Sequence, residues 1–295
     1  MLTIDSHVHI WTRDPAYTWA ADAPALPPLA ADPEGLLALM DQEAIHATVL
    51  VQYIGYLWDN SFVASVLKMY PDQFMGVCRV NPTDPTAPDQ LSLWTELHGF
   101  HGVRISPHAD ARGDWFQGPL MRPLFQRAAD LKVPILVLTQ PQRLPRLLHL
   151  LAEVPDVDIV VDHLADCVLH EFTHRELLRA LARHPRVFMK TGHVWANSTA
   201  GYPWRDQFSL LHYICEHFGA NRLMWGSDWP FCLQHGSYAQ SIAYLRTEAD
   251  LFSTEDLSWI LGGTAQRLWP FVEPTPPAVS PPPELFRQDS DANSL

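Results

Sequence analysis

The chain has 295 residues, 47% of them hydrophobic and 18% charged, with a formal net charge of −13. This composition suits one compact globular enzyme: no run reaches the roughly 18 apolar residues of a membrane span, and 20 thinly spread Lys and Arg exclude a nucleic-acid or anionic membrane partner. The opening MLTIDSH shows no leader pattern and the four cysteines form no CxxC pair, so a cytoplasmic protein with free thiols is expected.

In chain order, eight short β-branched runs recur: LTIDSHVHI, ATVLVQ, FMGVCRVNP, GVRISP, VPILVLT, VDIVVDHLA, RVFMKTG and RLMWGSDWP. Between them lie amphipathic stretches such as EGLLALMDQEAI, MRPLFQRAADL, RLPRLLHLLAEV, HRELLRALARH and DQFSLLHYICEHFG, apolar at three- and four-residue spacing. Strands buried on both faces alternating with helices predict an α/β fold, a single (β/α)8 barrel over residues 1–270. The rival is an open doubly wound sheet, and no GxGxxG follows the first strand to support its dinucleotide-binding form. Residues 271–295 are proline-rich without period and are expected to be an extended or disordered tail, available to wrap the barrel or a neighbouring subunit in a homo-oligomer.

Chemistry in such a barrel gathers where the strands end. His7 and His9, two apart on the first strand, point the same way while Val8 points to the helices, which makes a ready pair of metal ligands or hydrogen-bond donors. A lone strand histidine is usually a core residue; a pair closing the first barrel strand is not. The fourth strand ends near Arg104, a cation for a carboxylate or a developing oxyanion, or else one half of a salt bridge with a residue such as Asp5. Arg79 is a lesser candidate of the same kind. His163 ends the sixth strand as ligand or helix cap, and Lys190 ends the seventh as substrate contact or ion-pair partner. His193 follows Lys190 and reaches toward substrate, and Asp228 ends the eighth strand as base, ligand or turn residue. Aromatic residues follow most of the strands, among them Trp11, Tyr53, Trp195, Tyr202 and Trp229. They read either as a walled pocket, in which Trp11 and Tyr202 touch a ring, or as loop packing.

The stretches DSHVHIW, DHLA and WGSDWP, in that order and spacing, resemble the amidohydrolase superfamily, in particular the branch of amidohydrolase-related lactonases that includes 2-pyrone-4,6-dicarboxylate lactonase, sugar-acid lactonases and 4-sulfomuconolactone hydrolase. GVRIS and MKTG also resemble segments of that branch. The resemblance implies a (β/α)8 barrel with His7, His9, His163 and Asp228 in the active site. The wider superfamily often carries a lysine or glutamate on strand four and a histidine on strand five, where this chain has Arg104 and Thr139-Gln140. That departure argues against a binuclear centre. His7, His9 and Asp228, with His163 as a fourth, suit one divalent metal, zinc ahead of manganese, with an open position for water; a metal-independent site with His7 and His9 as donors is the alternative.

The expected reaction is hydrolysis of a small-molecule lactone, of a sugar acid or of an aromatic-degradation intermediate, with Asp228 as base and His163 or Arg104 stabilising the oxyanion. A cation at the mouth would favour an acidic lactone. Non-oxidative decarboxylation of an aromatic or muconic acid and a non-catalytic binding barrel are the alternatives. HEFTH at 170–174 imitates a zinc-binding HExxH but has no third ligand nearby and is read as chance.

Overall fold

The computed structural model describes residues 1–106, 115–248 and 251–271. The expected tail lies outside the described residues from position 272 onward. Eight parallel strands follow one another in sequential order: β1 (Ile4–Val8), β2 (Ala47–Val51), β3 (Phe74–Cys78), β4 (Phe100–Ile105), β5 (Ile135–Val137), β6 (Ile159–Val161), β7 (Val187–Lys190) and β8 (Leu223–Met224). The ring closes between its last and first members, where Ser6 N donates to the Trp225 carbonyl at 3.1 Å, Asp228 N to that of His7 at 2.9 Å and His9 N to that of Trp229 at 2.8 Å. This is the expected (β/α)8 barrel, and closure removes the free edges an open sheet would keep.

Helices α1 (Pro33–Gln42), α2 (Ser61–Met69), α3 (Ala87–His98), α4 (Met121–Leu131), α5 (Leu144–Glu153) and α6 (Phe172–Ala182) alternate with the strands. The short α7 (Val194–Asn197), then α8 (Phe208–Phe218), α9 (Tyr238–Thr247), α10 (Thr254–Ser258) and α11 (Thr264–Leu268) complete the chain. Their starts are chemically marked. Asp32 accepts from Gly35 N at 2.8 Å ahead of Pro33, and Ser237 and Gln240 form a reciprocal capping box at α9. No helix among the described residues is long and apolar enough to cross a membrane.

The core has two parts. Val8, Leu50, Cys78, Val103 and Val161 pack outward against the helices, whereas Ile4, Val49, Val51, Val77, Leu136, Val160, Phe188 and Met224 fill the barrel interior. Trp269, just after α11, joins the inner group and donates its indole N–H to the His101 carbonyl at 2.9 Å. The inner end of the barrel is therefore packed with apolar side chains, and the polar ones collect at the other end.

Candidate active site

Strand β1 does not keep a simple alternation. Ile4 and Asp5 face Ala47 and Thr48, but Val8 faces Leu50, so one extra residue is accommodated between Asp5 and Val8. Such a bulge re-aims the strand, which is how Ile4 fills the interior while Val8 packs outward. Asp5 secures the region: its carboxylate accepts from His7 N at 3.2 Å, Ser227 N at 2.9 Å and the Tyr238 hydroxyl at 3.0 Å. Burial pushes this carboxyl up to about 6 against the pull of those bonds.

His7 and His9 meet edge-on, their Nε2 atoms 3.2 Å apart. Asp228 Oδ1 lies 3.7 Å from the first and 3.5 Å from the second. Nδ1 of His9 sits 2.7 Å from the Val51 carbonyl, which only accepts, so Nδ1 carries the proton and Nε2 is bare. Nδ1 of His7 lies between the Lys190 ammonium at 2.8 Å and Asp162 Oδ1 at 3.3 Å. Accepting from Lys190 leaves His7 Nε2–H as a donor, whereas donating to Asp162 leaves Nε2 bare as a ligand. Burial pushes both imidazoles down to about 3, with the Lys190 charge adding to the effect at His7 and the Arg104 charge at His9. They are neutral at neutral pH.

Beneath them runs a buried ionic layer that sequence reasoning did not assemble. Asp162 pairs through Oδ2 with Arg104 Nε at 3.0 Å and through Oδ1 with Lys190 Nζ at 3.3 Å. Burial opposes its ionisation, but Lys190, His7 and Arg104 together hold the carboxyl well below the usual range. Burial likewise brings Lys190 down to about 8 despite Asp162. The salt bridge weighed for Arg104 exists, but its partner is Asp162 and not Asp5.

Above this layer opens a cavity of about 410 Å³, lined by His9, Tyr53, Arg104, His163, His193, Trp195, Asp228, Phe231 and His235 among others. His163 is 5% exposed, its ring centroid 4.8 Å from that of His7 and 4.3 Å from that of His193, and burial with the neighbouring imidazoles holds its pKa well below the ordinary value. The structure therefore brings His7, His9, His163, His193, Asp228 and Arg104 together. Three residues expected to meet substrate lie elsewhere. Lys190 is fully buried under His7, because the end of β7 lies deeper in the barrel than the turns that carry His163 and Asp228. Trp11 packs behind Tyr53 and Phe231 and donates its indole N–H to Leu29. Tyr202 is 41% exposed and stands edge-on to Trp204 away from the cavity lining. Asp162, Phe231 and His235 were missed; the one signal for Asp162 was an acid inside the apolar run VVDHLA, and the other two lie in the turn after β8 with no distinguishing spacing. His170 and His174 of HEFTH do not belong to the site; His174 Nδ1 accepts from Val168 N.

The donor set fits a metal. His7 Nε2, His9 Nε2 and Asp228 Oδ1 make a triangle with sides of 3.2, 3.5 and 3.7 Å. Ligand atoms about 2.0–2.2 Å from one tetrahedral centre stand about that far apart. The Val51 contact behind His9 is the outer partner that a histidine ligand needs, and His7 meets the same need when its Nδ1 donates to Asp162 rather than accepting from Lys190.

L-fucono-1,5-lactonase of Burkholderia ambifaria is 28% identical over 295 residues, covering 92% of this chain and 97% of its own. 4-Sulfomuconolactone hydrolase of Rhizobium radiobacter is 26% identical, covering 77% and 75%. Among solved structures, an amidohydrolase from Burkholderia multivorans with bound zinc superposes with a TM-score of 0.74 at 26% identity, covering 92% of this chain and all of its own. The sequence profile of the Amidohydrolase family matches residues 4–271, the whole described barrel with its imidazole pair and strand-end aspartate, and the chain belongs to that family.

Proposed function

We propose that the chain hydrolyses the ring ester of a lactone, and that its substrate is an uncharged, hydroxylated ring. The observation that carries the reaction is the placement of Asp228, a carboxylate set between a neutral imidazole pair and an aromatic-walled cavity. The lactonase names of its relatives support the same chemistry. Asp228 takes a proton from water as the water oxygen bonds to the ester carbonyl carbon. Arg104 and His163 line the same cavity and would stabilise the oxygen on which charge develops. As the carbonyl re-forms, the ring C–O bond breaks and the alkoxide leaves with the proton returned from Asp228, giving the open hydroxy acid. One divalent ion, for which we favour zinc, would be held by His7, His9 and Asp228 and would supply Lewis acidity to the carbonyl or to water.

The preference for an uncharged ring comes from the charges lining the cavity. Among the described residues they are Arg104 against Asp166 and Asp228, and Arg104 is already engaged by Asp162. Among the described lining residues no surplus cation greets a carboxylated or sulfonated ring, and on that ground we favour a neutral lactone over the acidic one expected. Tyr53, Trp195 and Phe231 offer flat apolar walls instead. We place the reaction in the cytoplasm, in keeping with buried free thiols at Cys78, Cys167 and Cys232.

The test is acid release from neutral aldonolactones and from carboxylated lactones, by wild type and Asp228→Asn, with bound metal measured on each sample. Wild type should open the neutral rings preferentially, and Asp228→Asn should lose about 10²-fold or more in kcat. Undiminished turnover by the Asn variant would remove Asp228 as base.

A further inference from the structure

The two oxygens of Asp228 have different neighbours. Oδ1 faces His7 and His9, while Oδ2 lies 3.2 Å from Nδ1 of His193. A carboxylate turns easily about its last torsion, which lacks sharp staggered wells, so a partner is needed to decide which oxygen faces which neighbour. The backbone bond from Asp228 N to the His7 carbonyl anchors the main chain alone.

His193 is itself held firmly. It adopts φ +67° directly after Gly192, where an added Cβ would lie 2.0 Å from the Gly226 carbonyl oxygen. Its ring lies flat on Trp195, with centroids 4.2 Å apart and planes at 18°, and Trp195 in turn meets His235 at 4.6 Å. His163 at φ +52° and Asp228 at φ +55° share the left-handed conformation, so the turns after β6, β7 and β8 each spend backbone strain at a cavity residue. His193 is 27% exposed at its side chain, and its buried Nδ1 lies 3.2 Å from Oδ2 without a formed hydrogen bond to any partner among the described residues.

We infer that His193 is the positioning residue for Asp228. Nδ1, buried and without a formed hydrogen bond, has Oδ2 3.2 Å away, and a small turn of the carboxylate about its last torsion would complete an Nδ1–H···Oδ2 bond that keeps Oδ1 toward His7 and His9. A neutral imidazole with its proton on Nδ1 has a bare Nε2, which on the open side of the ring accepts a hydrogen bond from a substrate hydroxyl. The kinetic consequence rests on the lactone reading above; the tautomer does not.

The deciding measurement is a ¹⁵N spectrum of the imidazoles in the protein as purified, with the His193 signals assigned by their loss in His193→Asn. The expected result is the Nδ1–H tautomer, and an Nε2–H tautomer overturns the inference whether or not any lactone is opened. In kinetics, His193→Ala should lower kcat by about 10²-fold, the scale of a small misplacement of a reacting group, with a smaller effect on KM. His193→Asn keeps an amide N–H near the place of Nδ1 and should recover most of that loss. Equal losses in Ala and Asn, or a loss confined to KM, would reduce His193 to a contact residue. A wild type silent on every lactone would refute the lactone reading and leave the tautomer result standing.

Discussion

At the scale of single residues, the site depends on histidines that burial keeps neutral. His7 and His9 are depressed from 6.5 to about 3, so between those values the unfolded chain binds protons that the folded chain refuses. Their contribution to stability is complete above pH 6.5 and is lost as pH falls toward 3. Asp5, raised from 3.8 to about 6, works the other way: its contribution is complete below 3.8 and lost as pH rises through 6. Two imidazoles against one carboxyl leave a net loss on acidification. The thermal midpoint should therefore fall steadily as pH is lowered from 6.5 to 4, and the slope should be shallower in His9→Asn. A midpoint flat across that range would contradict the buried, neutral state assigned to the pair. Asp162 explains why a lysine and an arginine tolerate such depth, since each has an ionised carboxylate oxygen within 3.3 Å.

At the scale of elements, the ends of β7 and β8 are pressed together. Thr191 N donates to the Met224 carbonyl at 2.8 Å, and Gly192 stacks on Gly226 with no room for a side chain. Gly192→Ala should cost about 1–3 kcal/mol, as overpacking does, and should lower kcat further because His193 is the next residue. Gly201→Ala offers the contrast: open space surrounds it, only its φ of +71° opposes the change, and about 1 kcal/mol with activity retained is expected. Melting curves and kcat of the two variants check both statements. Element order was readable because parallel strands buried on both faces give unbroken apolar runs, as in VPILVLT and VDIVVDHLA. The bulge in β1 was not readable, because Ile4, Ser6 and Val8 fit a regular alternation and the extra residue shows only in the pairing with β2.

At the scale of the whole molecule, the net charge of −13 acts on any charged substrate before it reaches the cavity. For a neutral lactone kcat/KM should be independent of salt. For a carboxylated lactone it should rise as ionic strength increases from 0.01 to 0.15 M and the Debye length falls from about 30 to about 8 Å. Steady-state kinetics at the two salt levels distinguishes these cases, and an acidic lactone favoured at low salt would contradict the charge argument. The sequence by itself determined the barrel, the shared direction of His7 and His9, and the arrival of His163 and Asp228 at strand ends, because strand period and element order are local properties. Tertiary structure alone decided that Arg104 pairs with Asp162, 58 residues on, that Lys190 lies under His7, 183 residues away, and that Trp11 and Tyr202 stand outside the cavity. Alternation states which side of a strand a residue occupies. Its height along the barrel axis depends on the stagger of strands around the closed ring, and that height separates a buried ion pair from a group that can touch substrate.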